Sequence, residues 1–415
     1  MSKKKIVAVL FAALIAGCGG GGGSSSSQGS EPGASNTGED EGSDSSGENQ
    51  DDGLSVYSTG YIMLNAKPGW FDGSYYLAQL DGASTNVFKA VESGADLIVS
   101  KDKGSSNASG DGAVAYFDGG LVIYSAYEYS WNSPDFYGTD FGVFRFSGQE
   151  DDGVYISNSH KSGYDWDGSI SIRDNIALLF RRNGHDIVTN SLDLVENNIG
   201  QDVIIESDVD NGTIANPVGT YITTNLAAVL YDEIASDEHY YRVTFFSPAD
   251  GSKYSRKLIH SDGSSGSYAK STSIHSNGEY LATAVSAGGL AEYGDVSGKG
   301  ILVKVFNSDQ SLVGAFIANN DETTGDQVLP SIYITPTDMV LVSFQSYSTS
   351  SAFIGLYSIE GTELDKITLS EAGYGRRVNF GEGPEGSVLA SYTDSDTKLI
   401  KLDVSAGVIS DSGLF

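Results

Sequence analysis

The side chains best suited to metal or acid–base chemistry are scattered along the chain. His160, His185, His239, His260 and His275 show no metal-ligand spacing and no H-E-x-x-H pair, so most of them read as surface or turn residues. Alternating carboxylates occur twice, as Asp208 and Asp210 in Asp208-Val-Asp-Asn-Gly212 and as Asp165 and Asp167 around Trp166. Alternation turns hard oxygens to one side, as at the start of a calcium loop. The residue twelve along from Asp208 is Gly219, however, and not the bidentate glutamate that an EF-hand requires. Both pairs are weak Ca2+ candidates beside the simpler reading as turns, and no other cofactor is implied. The chain has no G-x-S-x-G elbow and no P-loop. A glycosidase pair could be drawn from its 55 acidic residues, but two carboxylates that meet only in the fold have no sequence spacing. The missing signatures weigh toward binding over catalysis.

Aromatic residues gather in three segments expected to be loops. Trp70 and Phe71 lie in Lys67-Pro-Gly-Trp-Phe-Asp-Gly73, and Tyr129, Trp131, Phe136 and Tyr137 follow Tyr127 closely. Tyr164 and Trp166 flank Asp165. Aromatic faces beside carboxylates can stack on sugars or anchor a protein, or else pack down as lids over the end of the fold.

The single cysteine, Cys18, has no partner for a disulfide within the chain, so its thiol needs another role. It follows Lys3, Lys4 and Lys5 and an apolar run from Ile6 to Gly17. That run is shorter than the roughly 18 to 20 residues of a spanning helix, which favours a cleaved signal. Ile15-Ala16-Gly17-Cys18 resembles the bacterial lipobox. The resemblance implies that residues 1–17 are a lipoprotein signal peptide and that Cys18 carries lipid, palmitate among its acyl chains, anchoring an exported protein to a membrane. Gly19 stands where an aspartate would, in the enterobacterial pattern, retain a lipoprotein at the inner membrane. An outer-membrane location is therefore expected, with the periplasmic or surface face left open.

From Gly19 to Gly53 nothing is bulkier than Ala34 among the aliphatics, and no aromatic occurs. Such a segment cannot bury enough apolar surface to offset ordering, so residues 18–53 are expected to be a lipidated cysteine and a disordered linker. A coil of that length spans about 30 Å. The formal net charge is −31, and three fewer positive charges after loss of the signal make it −34. That excludes nucleic acid held through a basic patch.

Residues 54–415 are predicted to be all-β, with short Val-, Ile-, Tyr- and Phe-rich runs separated by Gly, Asn, Asp and Ser. A unit of strand, tight polar turn and more apolar strand recurs at 113–124, 170–180, 220–230, 273–283, 331–342 and 378–389, with a weaker first copy from Leu54 to Leu64. Seven copies about 50 residues apart, each with room for four strands, predict a seven-bladed β-propeller. Six or eight blades, or a pair of two-sheet sandwiches, also fit the spacing. The junction holding Thr323, Gly325, Asp326, Gln327 and Pro330 resembles the T-x-G-D-Q…P stretch of tandem blade repeats in large exported bacterial proteins.

The expected function is a lipid-anchored binding or scaffolding propeller with a protein or polysaccharide partner. Two alternatives stand beside it, a polysaccharide hydrolase or lyase and a periplasmic envelope-assembly lipoprotein. The enzyme reading predicts a cleft in which carboxylates converge with a His, Tyr or Arg. The scarce Arg173, Arg181, Arg182, Arg242, Arg376 and Arg377 are the cations to locate.

Overall fold

Residues that tolerate left-handed backbone close the recurrent hairpins. Asp72 and Gly73, at φ 46° and 68°, join strand Lys67–Phe71 to Ser74–Asp81, and Asp174 and Asn175, at 50° and 61°, join Gly168–Arg173 to Ile176–Asn183. Two-residue turns with both central φ values positive match the twist of the strands they join. In the computed structural model the described residues are 56–59, 66–81, 84–102, 112–117, 119–128, 139–148, 154–158, 168–183, 186–207, 213–235, 238–262, 271–295, 298–320, 324–369 and 377–414.

They form seven antiparallel sheets, each built around consecutive strands of the chain. The blades occupy residues 67–102, 112–158, 168–206, 213–261, 272–317, 327–369 and 379–403. The first strand of each blade lies beside the first strands of its neighbours, and blade 1 meets blade 7 to complete the ring. The fold is a seven-bladed β-propeller.

One apolar cluster fills each junction between blades. Leu178, Phe180 and Ile187 of blade 3 pack on Ala227, Val229 and Phe246 of blade 4, and Leu389 and Leu399 of blade 7 pack on Tyr75, Leu77 and Phe88 of blade 1. Middle strands such as Ile176–Asn183, Leu226–Ala235 and Ser351–Ser358 are buried on both faces along most of their length. Fourth strands such as Lys253–Ser261 in blade 4 and Glu363–Leu369 in blade 6 turn part of their residues to solvent. Burial therefore falls from the middle of each blade to its rim.

The first repeat differs from expectation. Tyr57 and Ser58, inside the anticipated copy from Leu54 to Leu64, pair instead with Leu399 and Lys398 as an outer strand of blade 7. The inner strand of blade 1 is Lys67–Phe71. The ring is thus closed by both ends of the domain within one sheet, which ties them through main-chain hydrogen bonds.

Candidate functional site

An innermost strand has one open edge, and its backbone N–H groups need partners that no further strand supplies. Side chains of the neighbouring blade meet that need. Ser169 and Ser171 of blade 3 accept hydrogen bonds from the N–H of Gly219 and Tyr221 in blade 4, at 2.6 and 3.0 Å. Ser273 and His275 of blade 5 accept from Ile332 and Ile334 in blade 6, at 3.1 and 3.0 Å. Between blades 1 and 2 the Tyr116 hydroxyl donates to the Lys67 carbonyl at 2.7 Å, its ring lying on Gly69, where a Cβ would sit 2.3 Å from the ring. Only glycine allows that approach.

Three basic side chains lie on or beside inner strands of the ring. Lys67 opens the inner strand of blade 1, His275 lies on that of blade 5, and Arg377 precedes that of blade 7. The Arg377 Nη2 donates to the carbonyl of Thr272 at 3.0 Å, reaching past blade 6 to blade 5. All three lie deep in the molecule yet keep accessible surface. That combination belongs to groups lining a narrow central channel.

The electrostatics are unusual for a chain of net charge −31. Burial lowers the Lys67 ammonium to about 8, and the Lys67 side chain makes no ion pair among the described residues. Burial also lowers the Arg377 guanidinium to about 10. His275 is pushed down to about 3, first by burial and then by the charge of Lys67, so it is neutral at physiological pH. Its Nδ1 accepts the Ile334 N–H, which puts the proton on Nε2. The ring stacks on Tyr333, centroids 4.2 Å apart. Burial, with Glu382 adding to it, raises the Tyr333 phenol and keeps it protonated. A cation, Lys67, thus acts on one ring of this stack and a carboxylate, Glu382, on the other.

Other anticipated residues fall elsewhere. Trp70 and Phe71 are not in a loop. They are the fourth and fifth residues of the inner strand of blade 1, with Phe71 buried and stacked on Tyr76 at 4.0 Å and Trp70 half-buried against Tyr75 at 4.6 Å. Pro68 and Gly69 carry the signals of a turn, but an open strand edge tolerates proline and a glycine here accommodates Tyr116. Tyr129, Trp131, Phe136, Tyr137, Tyr164, Trp166, Asp165, Asp167, Asp208 and Asp210 lie outside the described residues. The strand ends that flank the second aromatic segment, Glu128 and Thr139, stand at the mouth where the inner strands begin. Cys18, His160, His185 and Arg376 are likewise outside the described residues.

The expectation that the histidines are surface or turn residues is corrected for His239, His260 and His275. His239 is fully buried, His260 is buried, and all three sit on strands. Among the arginines, Arg181 is sealed in blade 3 against Asp202 at 2.5 Å and Asn190 at 3.2 Å, with Arg182 half-buried next to it on the same strand. Arg242 pairs with Glu233, and Arg173 reaches the Ile222 carbonyl near the opposite end of the inner strands. The T-x-G-D-Q stretch proves structural where it is described, because Asp326 caps the Lys299 N–H at 3.1 Å and Gln327 accepts from Asn319 at 3.0 Å, joining blades 5 and 6. Lys67 and His275 as channel residues were missed by sequence reasoning. The available signal was a scarce cation at the start of an inner strand, shared by Lys67 and Arg377.

No family model and no curated protein matches the chain. Solved structures do resemble it at 10–13% identity. Hydrazine synthase of Kuenenia stuttgartiensis aligns at 11% identity over 82% of this chain and 97% of its own, with a TM-score of 0.53. The polysaccharide lyase Uly1 aligns at 10% over 83% and 90%, TM-score 0.52. A candidate 6-phosphogluconolactonase of Bacteroides fragilis aligns at 13% over 86% and 95%, TM-score 0.50. At such identities the likeness supports the propeller fold and nothing narrower.

Proposed function

We propose that the protein is an exported, lipid-anchored propeller that binds a ligand at the channel mouth where its inner strands begin, acting as a binding or scaffolding module of the cell envelope. The observation that carries this reading is that Lys67, His275 and Arg377, on or beside the inner strands of blades 1, 5 and 7, all keep accessible surface. A propeller concentrates its recognition at such mouths, where loops from several blades surround one axis. Anchorage rests on the lipobox at Cys18 and the stand-off on the Gly/Ser/acidic segment after it. The test is capture of ligand from native envelopes by the wild-type chain and by Lys67→Met. Equal capture by both would refute the mouth as the binding site. Protease treatment of intact cells separates surface display, which exposes residues 18–53 to cleavage, from the periplasmic assembly role.

A second reading, an enzyme acting on polysaccharide, is favoured by the His275–Tyr333 stack within reach of the Lys67 charge and by the likeness to a protein described as a polysaccharide lyase. Elimination from a uronate needs a cation at the carboxylate and a base for the α-proton. Lys67 is the candidate cation. His275, with Nδ1 committed to Ile334, is a donor at Nε2, and the Tyr333 phenol is held protonated, so this geometry favours binding over proton abstraction. Release of unsaturated sugars from a uronate polymer by the purified chain would reverse that ranking.

A further inference from the structure

Blade 7 takes its outer edge from two distant parts of the chain. Its third strand, Thr397–Asp403, is covered by Tyr57–Ser58 on Leu399 and Lys398 and by Ser410–Asp411 on Asp403 and Leu402. Each cover is two residues long, against nine and seven for the fourth strands of blades 4 and 6. Local opening starts where few contacts hold a segment.

The two covers are fixed by separate bonds. The Thr59 N–H donates to the Thr397 carbonyl at 3.1 Å, and the Thr59 carbonyl accepts from the Ala95 N–H of blade 1 at 3.2 Å. The Tyr57 hydroxyl accepts the Val91 N–H at 3.1 Å and donates to the Val91 carbonyl, while Ser58 donates to Asp396. On the other side, the Ser412 N–H donates to the Lys401 carbonyl at 3.2 Å and the Ile409 N–H to Asp365 of blade 6 at 2.6 Å. These two sets of bonds share no residue, so the first can break while the second keeps the strand of blade 7 in place.

A further latch lies at the start of blade 1. The buried Ala66 carbonyl accepts from Asn379 Nδ2 at 3.2 Å and from the buried Ser391 Oγ at 2.5 Å, both in blade 7. Residues 60–65 alone separate it from the outer bonds. A pull on the chain before residue 56 therefore reaches the outer bonds first and the Ala66 latch second.

We propose that residues 56–59 are a releasable strap, the first element of the propeller to open, which leaves the rim while the Ala66 latch keeps the ring and its mouth closed. Given the reading of the preceding segment as a membrane tether, the strap yields to tension between anchor and ligand before the binding face does.

The test is native-state hydrogen exchange of the full-length chain in detergent, read by mass spectrometry on peptides. Peptides carrying Thr59 and Ala95 should exchange by local opening, well before those of the strands Ile176–Asn183 and Leu226–Ala235. Tyr57→Phe, which removes the hydroxyl bridge to Val91, should speed strap exchange about fivefold, the worth of one hydrogen bond, and leave residues 410–412 and global stability unchanged. Ser391→Ala should lower global stability and leave strap exchange unchanged. Strap amides that exchange only together with the core, release of residues 410–412 along with the strap in Tyr57→Phe, or faster strap exchange in Ser391→Ala would overturn the proposal. Ligand and membrane take no part in this measurement, so its failure is distinct from a failure of ligand capture or of the cell-surface protease test.

Discussion

Two histidines on strands of neighbouring blades have opposite surroundings. His239 in blade 4 is completely buried, with Asp232 Oδ2 3.5 Å from Nε2 and Asp262 Oδ2 4.0 Å from Nδ1. The carboxylates are themselves held, Asp232 by Asn216 at 2.8 Å and Asp262 by the Gly288 N–H at 3.1 Å. His275 in blade 5 keeps accessible surface, and the charge that acts on it is the cation Lys67. The first is closed off by carboxylates within the fold, whereas the second keeps part of its surface open beside a cation. Residue type alone therefore does not decide whether a polar group is sealed in the fold or left accessible.

The largest effect is expected on the enclosed side. His239→Leu leaves the Asp232 and Asp262 carboxylates without the imidazole between them, and should cost about 3–5 kcal/mol of stability, the usual penalty for removing the group that faces a buried carboxylate. Denaturant titration measures it, and ligand capture by the folded fraction should not change. A loss below about 1 kcal/mol would mean that the two carboxylates need no partner and would erase the contrast.

His275→Gln comes next, and its effect depends on pH. The folded-state value of about 3 lies below the ordinary 6.5, so between these the unfolded chain takes up a proton that the folded chain refuses. Stability contributed by neutral His275 is fully present above 6.5 and is lost as pH falls toward 3. Glutamine should remove this component of acid sensitivity, amounting to about 3 kcal/mol near pH 4. An unchanged slope in denaturant titrations across that range would contradict the stated surroundings of His275.

Lys67→Met should raise stability by about 1–2 kcal/mol at neutral pH, because it removes a charge that burial disfavours, discounted for its accessible surface. The sign follows from a folded value of about 8 against the ordinary 10.5. The wild-type chain gains stability as pH rises through that interval, since the unfolded state then holds the extra proton, and the methionine variant loses that gain. Destabilisation by Lys67→Met would show that the ammonium has a structural partner.

The smallest effect is expected at the rim. Leu312→Ser, on an outer strand and 53% exposed, should change stability by less than about 0.5 kcal/mol and leave binding alone.

Much of this arrangement was legible in the sequence. Six of the seven inner hairpins coincide with the repeats, because apolar periodicity and turn residues such as Asp174-Asn175 are local signals. The first blade was misplaced because closure uses two residues, Tyr57 and Ser58, whose pairing with Leu399 and Lys398 spans most of the chain. Trp70 and Phe71 were assigned to a loop because Pro68 and Gly69 break strand patterns everywhere except at an open edge. The basic residues of the inner strands left almost no trace, since Lys67, His275 and Arg377 share no spacing and Arg377 reaches Thr272 only once the blades are assembled. His239 and Asp232 are only seven positions apart, yet that proximity carried no meaning until both were known to be buried.

The most direct test asks which histidine senses a ligand. Nitrogen-15 spectra of the imidazoles, recorded while ligand captured from native envelopes is added to the full-length chain, should show His275 as the Nε2–H tautomer and move its resonances, with those of His239 unmoved. Resonances of His275 that stay fixed at saturating ligand, or a response at His239 instead, would contradict the account of the channel mouth as the recognition site.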